Sequence, residues 1–113
     1  MSMQLGDLRD GMLVWYDVPG KGRHPAIVLY VFADAPPVVL ATGTSISRGG
    51  LCFSVKAGDR SILGSALSND TKFHYGDFVR VDITSLSPWS RMLCVEPPVL
   101  ARLRAALADH PPK

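Results

Sequence analysis

The segment from Ala26 to Phe32 reads AIVLYVF, bounded by Pro25 on one side and by Asp34 and Pro36-Pro37 on the other. A strand with one wet face alternates apolar and polar residues, whereas a continuous run of β-branched and aromatic residues predicts a strand covered on both faces. That cover has to come from the sheet folding over on itself and from a helix or a second subunit. The surrounding chain has the same punctuated grammar. Gly11 opens the strand-like run Met12 to Val18, which Pro19-Gly20 must end. Val38 to Ala41 starts a third run leading into Thr42-Gly43-Thr44-Ser45, and Arg48-Gly49-Gly50 reads as the next turn. Leu51 to Ala57 alternates cleanly, with Leu51, Phe53 and Val55 on one face and Cys52, Ser54 and Lys56 on the other. Phe78 to Ile83 alternates again, and Arg91 to Val95 reads as a last short strand. Between Gly58 and Gly76 the pattern is mixed; its apolar island, Ile62, Leu63, Ala66 and Leu67, fits a short strand or a turn of helix equally.

Pro97-Pro98 stand where a helix start tolerates proline, and Val99, Leu100, Leu103, Ala106 and Leu107 then recur at helical spacing until His110-Pro111. Short strands closed by one helix, without the strand–helix alternation that builds crossover units, predict a mainly β fold: a small curled sheet or barrel of short antiparallel strands with a C-terminal α-helix. The 113 residues and 12.2 kDa suit a single domain over 1–113, with the barrel at about 6–95 and the helix at about 97–109. A domain of this size buries roughly 65% of its unfolded surface, so no deep cofactor pocket is expected.

Composition narrows the chemistry further. Glu96 is the only glutamate, which argues against paired-glutamate chemistry of the glycosidase or di-iron kind. The formal net charge of +2 is a weak cationic bias that identifies no partner. Met1 to Asp10 carries Asp7, Arg9 and Asp10 and no apolar signal-like core, and no stretch approaches a membrane span, so a cytoplasmic protein is expected. Cys52 and Cys94 lack the spacing of a disulfide framework or a zinc site, and His24, His74 and His110 fall in separate segments. No metal and no cofactor are expected, and no nucleophile-elbow pattern supports a serine triad.

Two polar clusters remain. Pro19-Gly20-Lys21-Gly22-Arg23-His24-Pro25 packs basic side chains and glycines into one inter-strand loop. It is not a phosphate-binding loop of the nucleotide type, because a β-rich segment follows it rather than a helix. It reads either as a basic loop able to meet a phosphodiester or as a solvated hairpin turn. The second cluster is Thr42, Thr44, Ser45 and Ser47, whose hydroxyls can hydrogen-bond phosphate oxygens, although turns are enriched in such residues. Trp15, Tyr16 and Tyr30 sit inside predicted strands, where core packing competes with a contact role. Trp89, between Pro88 and Ser90, is a candidate for a partner contact or a base-stacking platform, set against simple core capping.

Taken in order, several segments resemble the PemK/MazF-like toxin family of toxin–antitoxin modules. They are Gly6-Asp7 or Gly11 ahead of Leu13-Val14-Trp15-Tyr16-Asp17, the glycine-and-basic loop closing in Arg23-His24-Pro25-Ala26-Ile27-Val28-Leu29, and Val39-Leu40-Ala41-Thr42-Gly43-Thr44-Ser45. Gly64-Ser65-Ala66-Leu67 before the Phe78 strand and the terminal helix from Pro98 to Leu107 are also similar to that family. The resemblance implies an SH3-like barrel, a homodimer, and metal-independent cleavage of single-stranded RNA, inhibited by an antitoxin peptide. It implies catalytic roles for Arg23, His24 and Thr44, the last, with Thr42 as the alternative, orienting the scissile phosphate. Lys21, Ser45 and Arg48 would contact RNA, and Trp15 and Trp89 a partner. The family's arginine directly precedes the proline, where this chain has His24, with Arg23 one place earlier where some members carry histidine. The pair is reversed, and an acidic residue that some members carry in the loop has no counterpart between Lys21 and Pro25. Either Arg23 swings in as the phosphate clamp with His24 as acid or base, or the pair is broken and the chain is kept for binding. The competing readings are therefore a toxin-like endoribonuclease and a catalytically silent barrel that binds protein or nucleic acid.

Overall fold

Ala26 to Leu29 are fully buried, Tyr30 and Val31 half-buried, and Phe32 at the end of the run is 39% exposed. The computed structural model describes residues 4–33, 37–44, 52–60, 64, 67, 69–89 and 92–111. Among them are six strands: β1 (Leu13–Val18), β2 (Gly22–Val31), β3 (Val38–Thr44), β4 (Cys52–Val55), β5 (Thr71–Val81) and β6 (Leu86–Pro88). They form one sheet in the order β4-β5-β3-β2-β1-β6, with every pairing antiparallel. Short 3₁₀ turns lie at Leu5–Asp7 and Ile83–Ser85, and the α-helix α1 (Pro97–Asp109) closes the chain. Among the described residues no pairing joins the edge strands β4 and β6. The fold is thus mainly β, an antiparallel sheet with one C-terminal helix.

Alternation along the central strands sorts their apolar side chains into two cores. Leu13, Ile27, Leu29, Val39, Ala41, Phe73 and Phe78 face α1, whose Leu103 is fully buried among them while Val99, Leu100, Ala106 and Leu107 pack alongside. Val14, Ala26, Val28, Val38 and Leu40 face the other way, where Leu8, Met12, Val81 and Leu86 close over them. The cover is therefore a helix on one face and, on the other, side chains from before β1, from the end of β5 and from β6.

The β2–β3 register shifts between Val28 and Tyr30, which leaves Leu29 as an extra residue on β2. A bulge of this kind breaks the alternation, so Leu29 and Tyr30 both reach the helix side. The Leu29 carbonyl accepts from Arg104 Nε at 3.1 Å and from Nη2 at 2.8 Å. Arg104 also pairs with Asp10 at 2.6 Å and lies over the Tyr30 ring at 4.4 Å. One guanidinium thus fastens α1 to the bulge, to the segment before β1 and to an aromatic face.

Several boundaries differ from the sequence reading. β2 starts at Gly22, so Arg23, His24 and Pro25 are strand residues paired with β1, and the loop shrinks to the turn at Pro19 to Lys21. β5 starts at Thr71 rather than Phe78 and ends at Val81, leaving Ile83 in a 3₁₀ turn. Arg91 lies outside the described residues; among the described part of that run, Met92 to Val95, the bridge is an isolated one, Met12 with Cys94, and the short edge strand is Leu86–Pro88 instead. Helix α1 lies where the sequence places it. The Arg48-Gly49-Gly50 turn and Ile62, Leu63 and Ala66 of the apolar island lie outside the described residues, whereas Leu67 is buried in the helix-side core.

Gly43 holds β3 against β5. A Cβ there would stand 2.7 Å from Thr71 Cγ2 and 2.8 Å from Phe73 Cε1, and Phe73 is fully buried. Gly43→Ala should destabilise the domain by about 1–3 kcal/mol, the usual cost of overpacking. Gly6→Ala, where a Cβ meets nothing within 4 Å, should stay within about 0.5 kcal/mol. Urea denaturation of the two variants checks this, and equal midpoints would contradict it.

Candidate functional site

Proline has no amide hydrogen to give to a ladder. The β2–β3 pairing ends at Ala26 opposite Thr42, next to Pro25. Beyond that point the strands part company: Gly22 to Pro25 stay with β1, while Gly43 and Thr44 pair with Phe73 and Lys72 on β5. The separation leaves a cleft of about 430 Å³ lined by Trp15, Arg23, His24, Pro25, Gly43, Thr44, Leu67, Asn69 and Thr71. That volume falls within the roughly 300–1,000 Å³ of small-molecule sites.

Neighbouring residues of a strand point to opposite faces, yet Arg23 and His24 both line this cleft. They do so because the cleft opens at the unpaired edge of β2, which both faces border. His24 is half-buried, and its Nδ1 lies 3.3 Å from the Gly43 carbonyl. A carbonyl only accepts, so the contact is a hydrogen bond when Nδ1 carries the proton; the neutral ring then keeps its lone pair on Nε2. This side-chain contact spans the gap where the backbone ladder has stopped. Thr44 is buried at the end of β3, and Thr71, also buried, donates its hydroxyl to the Asn69 carbonyl at 3.0 Å.

Arg23 is exposed and lies opposite Asp17 in the β1–β2 register. Its guanidinium carbon sits 4.5 Å from the centroid of the Trp15 ring. Trp15 also stacks on Trp89, with ring centroids 4.1 Å apart and an interplanar angle of 13°. Trp89 follows β6 directly and packs against the helix-side core. Its indole nitrogen is buried without a hydrogen-bond partner, so ring contact rather than a polar bond fixes the side chain.

The structure therefore brings Arg23, His24, Thr44 and Trp15 together in one cleft, with Trp89 behind Trp15. Lys21 is exposed in the hairpin turn and does not line it. Ser45 and Arg48 lie outside the described residues. The sequence pattern does not single out Asn69 and Thr71. Their signal is there, an Asn-Asp turn pair followed by the alternating Thr71-Lys72-Phe73-His74, but it sits in a stretch whose pattern is mixed around it. Among the described residues no group of three His, Cys, Asp or Glu side chains is placed to hold a metal ion, and no helix is long and apolar enough to cross a membrane. No protein-family model, curated protein or solved structure matches this chain.

The Trp15–Trp89 stack should be measurable as a coupling. A double-mutant cycle of Trp15→Ala and Trp89→Ala, read by denaturant unfolding, is expected to give about 0.5–1.5 kcal/mol of interaction. Strict additivity would show that the rings lie together without stabilising each other.

Proposed function

We propose that the cleft binds single-stranded RNA and cleaves it without a metal, as the PemK/MazF-like resemblance implies, and that the sheet belongs to an SH3-like barrel. The observation supporting this reading is the convergence of Arg23, His24 and Thr44, from two separate strands, on one cleft. In this chemistry the ribose 2′-oxygen attacks its own phosphorus and forms an O2′–P bond while the P–O5′ bond breaks. The 2′-hydroxyl proton passes to His24 Nε2, whose ring is oriented by the Nδ1 contact to the Gly43 carbonyl. The 5′-oxygen leaves with a proton from solvent, giving a 2′,3′-cyclic phosphate and a 5′-hydroxyl. Arg23 supplies fixed positive charge to the phosphate, and the Thr44 hydroxyl hydrogen-bonds a phosphate oxygen. A homodimer, an antitoxin peptide as inhibitor and a cytoplasmic setting complete the proposal. The growth-inhibiting role of such a protein follows from RNA cleavage.

One observation favours a second reading, a silent binding barrel. The Arg23 guanidinium rests on Trp15, where it is engaged within the chain. Incubation with a long single-stranded RNA in excess EDTA separates the two. The expected result is cleavage with cyclic phosphate at the 3′ ends, reduced at least about 100-fold in His24→Ala, the lower end for loss of a general acid–base group. Arg23→Ala should fall similarly, with the fold retained in both variants by circular dichroism. A folded wild-type protein that leaves the RNA intact would sink the nuclease reading and leave the binding one.

A further inference from the structure

In the β1 register Trp15 stands opposite Pro25 of β2 and Ser87 of β6. Cross-strand partners share a face with residues two places along. Arg23 therefore approaches the indole from the β2 side, and Trp89 approaches it from the β6 side. Trp15 is the middle layer of a three-part stack, with guanidinium and indole as the outer layers. The two outer layers are not equivalent. Trp89 is packed against the core, whereas Arg23 is exposed near the hairpin turn. The replaceable layer is the guanidinium, and both Arg23 and Trp15 line the cleft.

We propose that Trp15 is a nucleobase-stacking platform and Arg23 its latch. In the free protein the guanidinium covers the indole face. When a nucleotide enters, the base takes that face and the released guanidinium takes the phosphate. The exchange is favourable in direction, because base–aromatic stacking outweighs an exposed cation–π contact, and the guanidinium moves to a bidentate, charge-assisted partner. Because stacking uses the π-face that every base has, the platform tolerates any base and reads none by hydrogen bonding. Nothing in this exchange requires cleavage, although it rests on the reading of the cleft as a site for single-stranded RNA.

The test uses the full chain and two uncleavable probes of equal length and charge: a 2′-O-methyl oligouridylate and an abasic phosphodiester oligomer. Tryptophan fluorescence follows the stack, since Trp15 and Trp89 are the chain's only tryptophans. Anisotropy of an end label gives affinity independently. The base-bearing probe is expected to quench the fluorescence and to bind roughly 5- to 150-fold more tightly than the abasic one. Trp15→Ala should remove most of that ratio, and Trp15→Phe, which keeps an aromatic face and the local packing, should retain part of it. Arg23→Ala should weaken both probes and reduce the log–log salt slope by about 0.7. Equal binding of the two probes, no binding of either, or an undiminished ratio in Trp15→Ala would each overturn the proposal, as would displacement of Arg23 by an acidic peptide alone. Base-dependent binding without RNA cleavage would keep the platform and remove the nuclease. Cleavage without base dependence would do the reverse.

Discussion

A missing amide hydrogen at Pro25 shapes this molecule more than any contact does. To its C-terminal side β2 is sandwiched between β1 and β3, and to its N-terminal side it pairs with β1 only. β3 meanwhile keeps its pairing with β5 on its other edge through Gly43 and Thr44. Gly43 permits that close approach by carrying no Cβ where Phe73 and Thr71 crowd the backbone. Proline on one strand and glycine on the other thus produce a gap at a defined place in an otherwise continuous sheet. The polar side chains gathered there, His24, Thr44 and Arg23, are the ones such a gap can accommodate, since a site open to water on one side lowers the cost of burying them.

What keeps the gap open is the stiffness of its walls. β2 continues from the cleft directly into Ala26 to Leu29, all fully buried, so the position of His24 is anchored by core packing a few residues away. Farther along the same strand the Leu29 bulge is locked to α1 by the Arg104 fork. The cleft floor is fixed from the opposite direction by β5, whose Phe73 fills the helix-side core while Thr71 lines the site. Sites carried on strands that are themselves core elements hold their side chains more closely than sites on free loops. The basic segment is a case in point, for it is a hairpin arm and not a mobile loop.

The sequence made the general plan legible and the register obscure, for physical reasons that differ by segment. Helix α1 was readable because its apolar positions recur at helical spacing and Pro97-Pro98 mark its start. The double-sided burial of Ala26 to Leu29 is readable from composition, but its end before Phe32 and the bulge at Leu29 are not, since every residue there is apolar and a change of face leaves no trace in polarity. Arg23 and His24 looked like loop residues because strand patterning assumes that side chains face either core or solvent, and these face a cleft at a strand edge. The first half of β5 was hidden by the mixed pattern upstream of it. Leu86–Pro88 was too short to show any period, and with it went the neighbour relation that places Trp89 on Trp15. Of the site, the residues that bear charge or hydroxyls near the proline were anticipated; Asn69, Thr71 and the tryptophan stack required the pairing of distant strands.

The order Arg23-His24, reversed under the proposed family resemblance, has a definite consequence on this strand. Exchanging adjacent residues on a strand exchanges the faces they occupy. Here the guanidinium falls on the face of Trp15 and Pro25, where an aromatic ring receives it, and the imidazole falls beside the Gly43 carbonyl across the split. With the opposite order, the permanent charge would lie against that carbonyl and the titratable ring against Trp15. The observed order therefore gives the carbonyl a partner that can donate from one nitrogen and keep a lone pair on the other, and gives the indole a cation it can hold and release. An arginine at position 24 could donate to Gly43 but could not accept a proton, because guanidinium stays protonated throughout the range in which proteins are folded. The order found here thus puts the proton-accepting ring where the Gly43 carbonyl orients it and the permanent charge on the exposed residue.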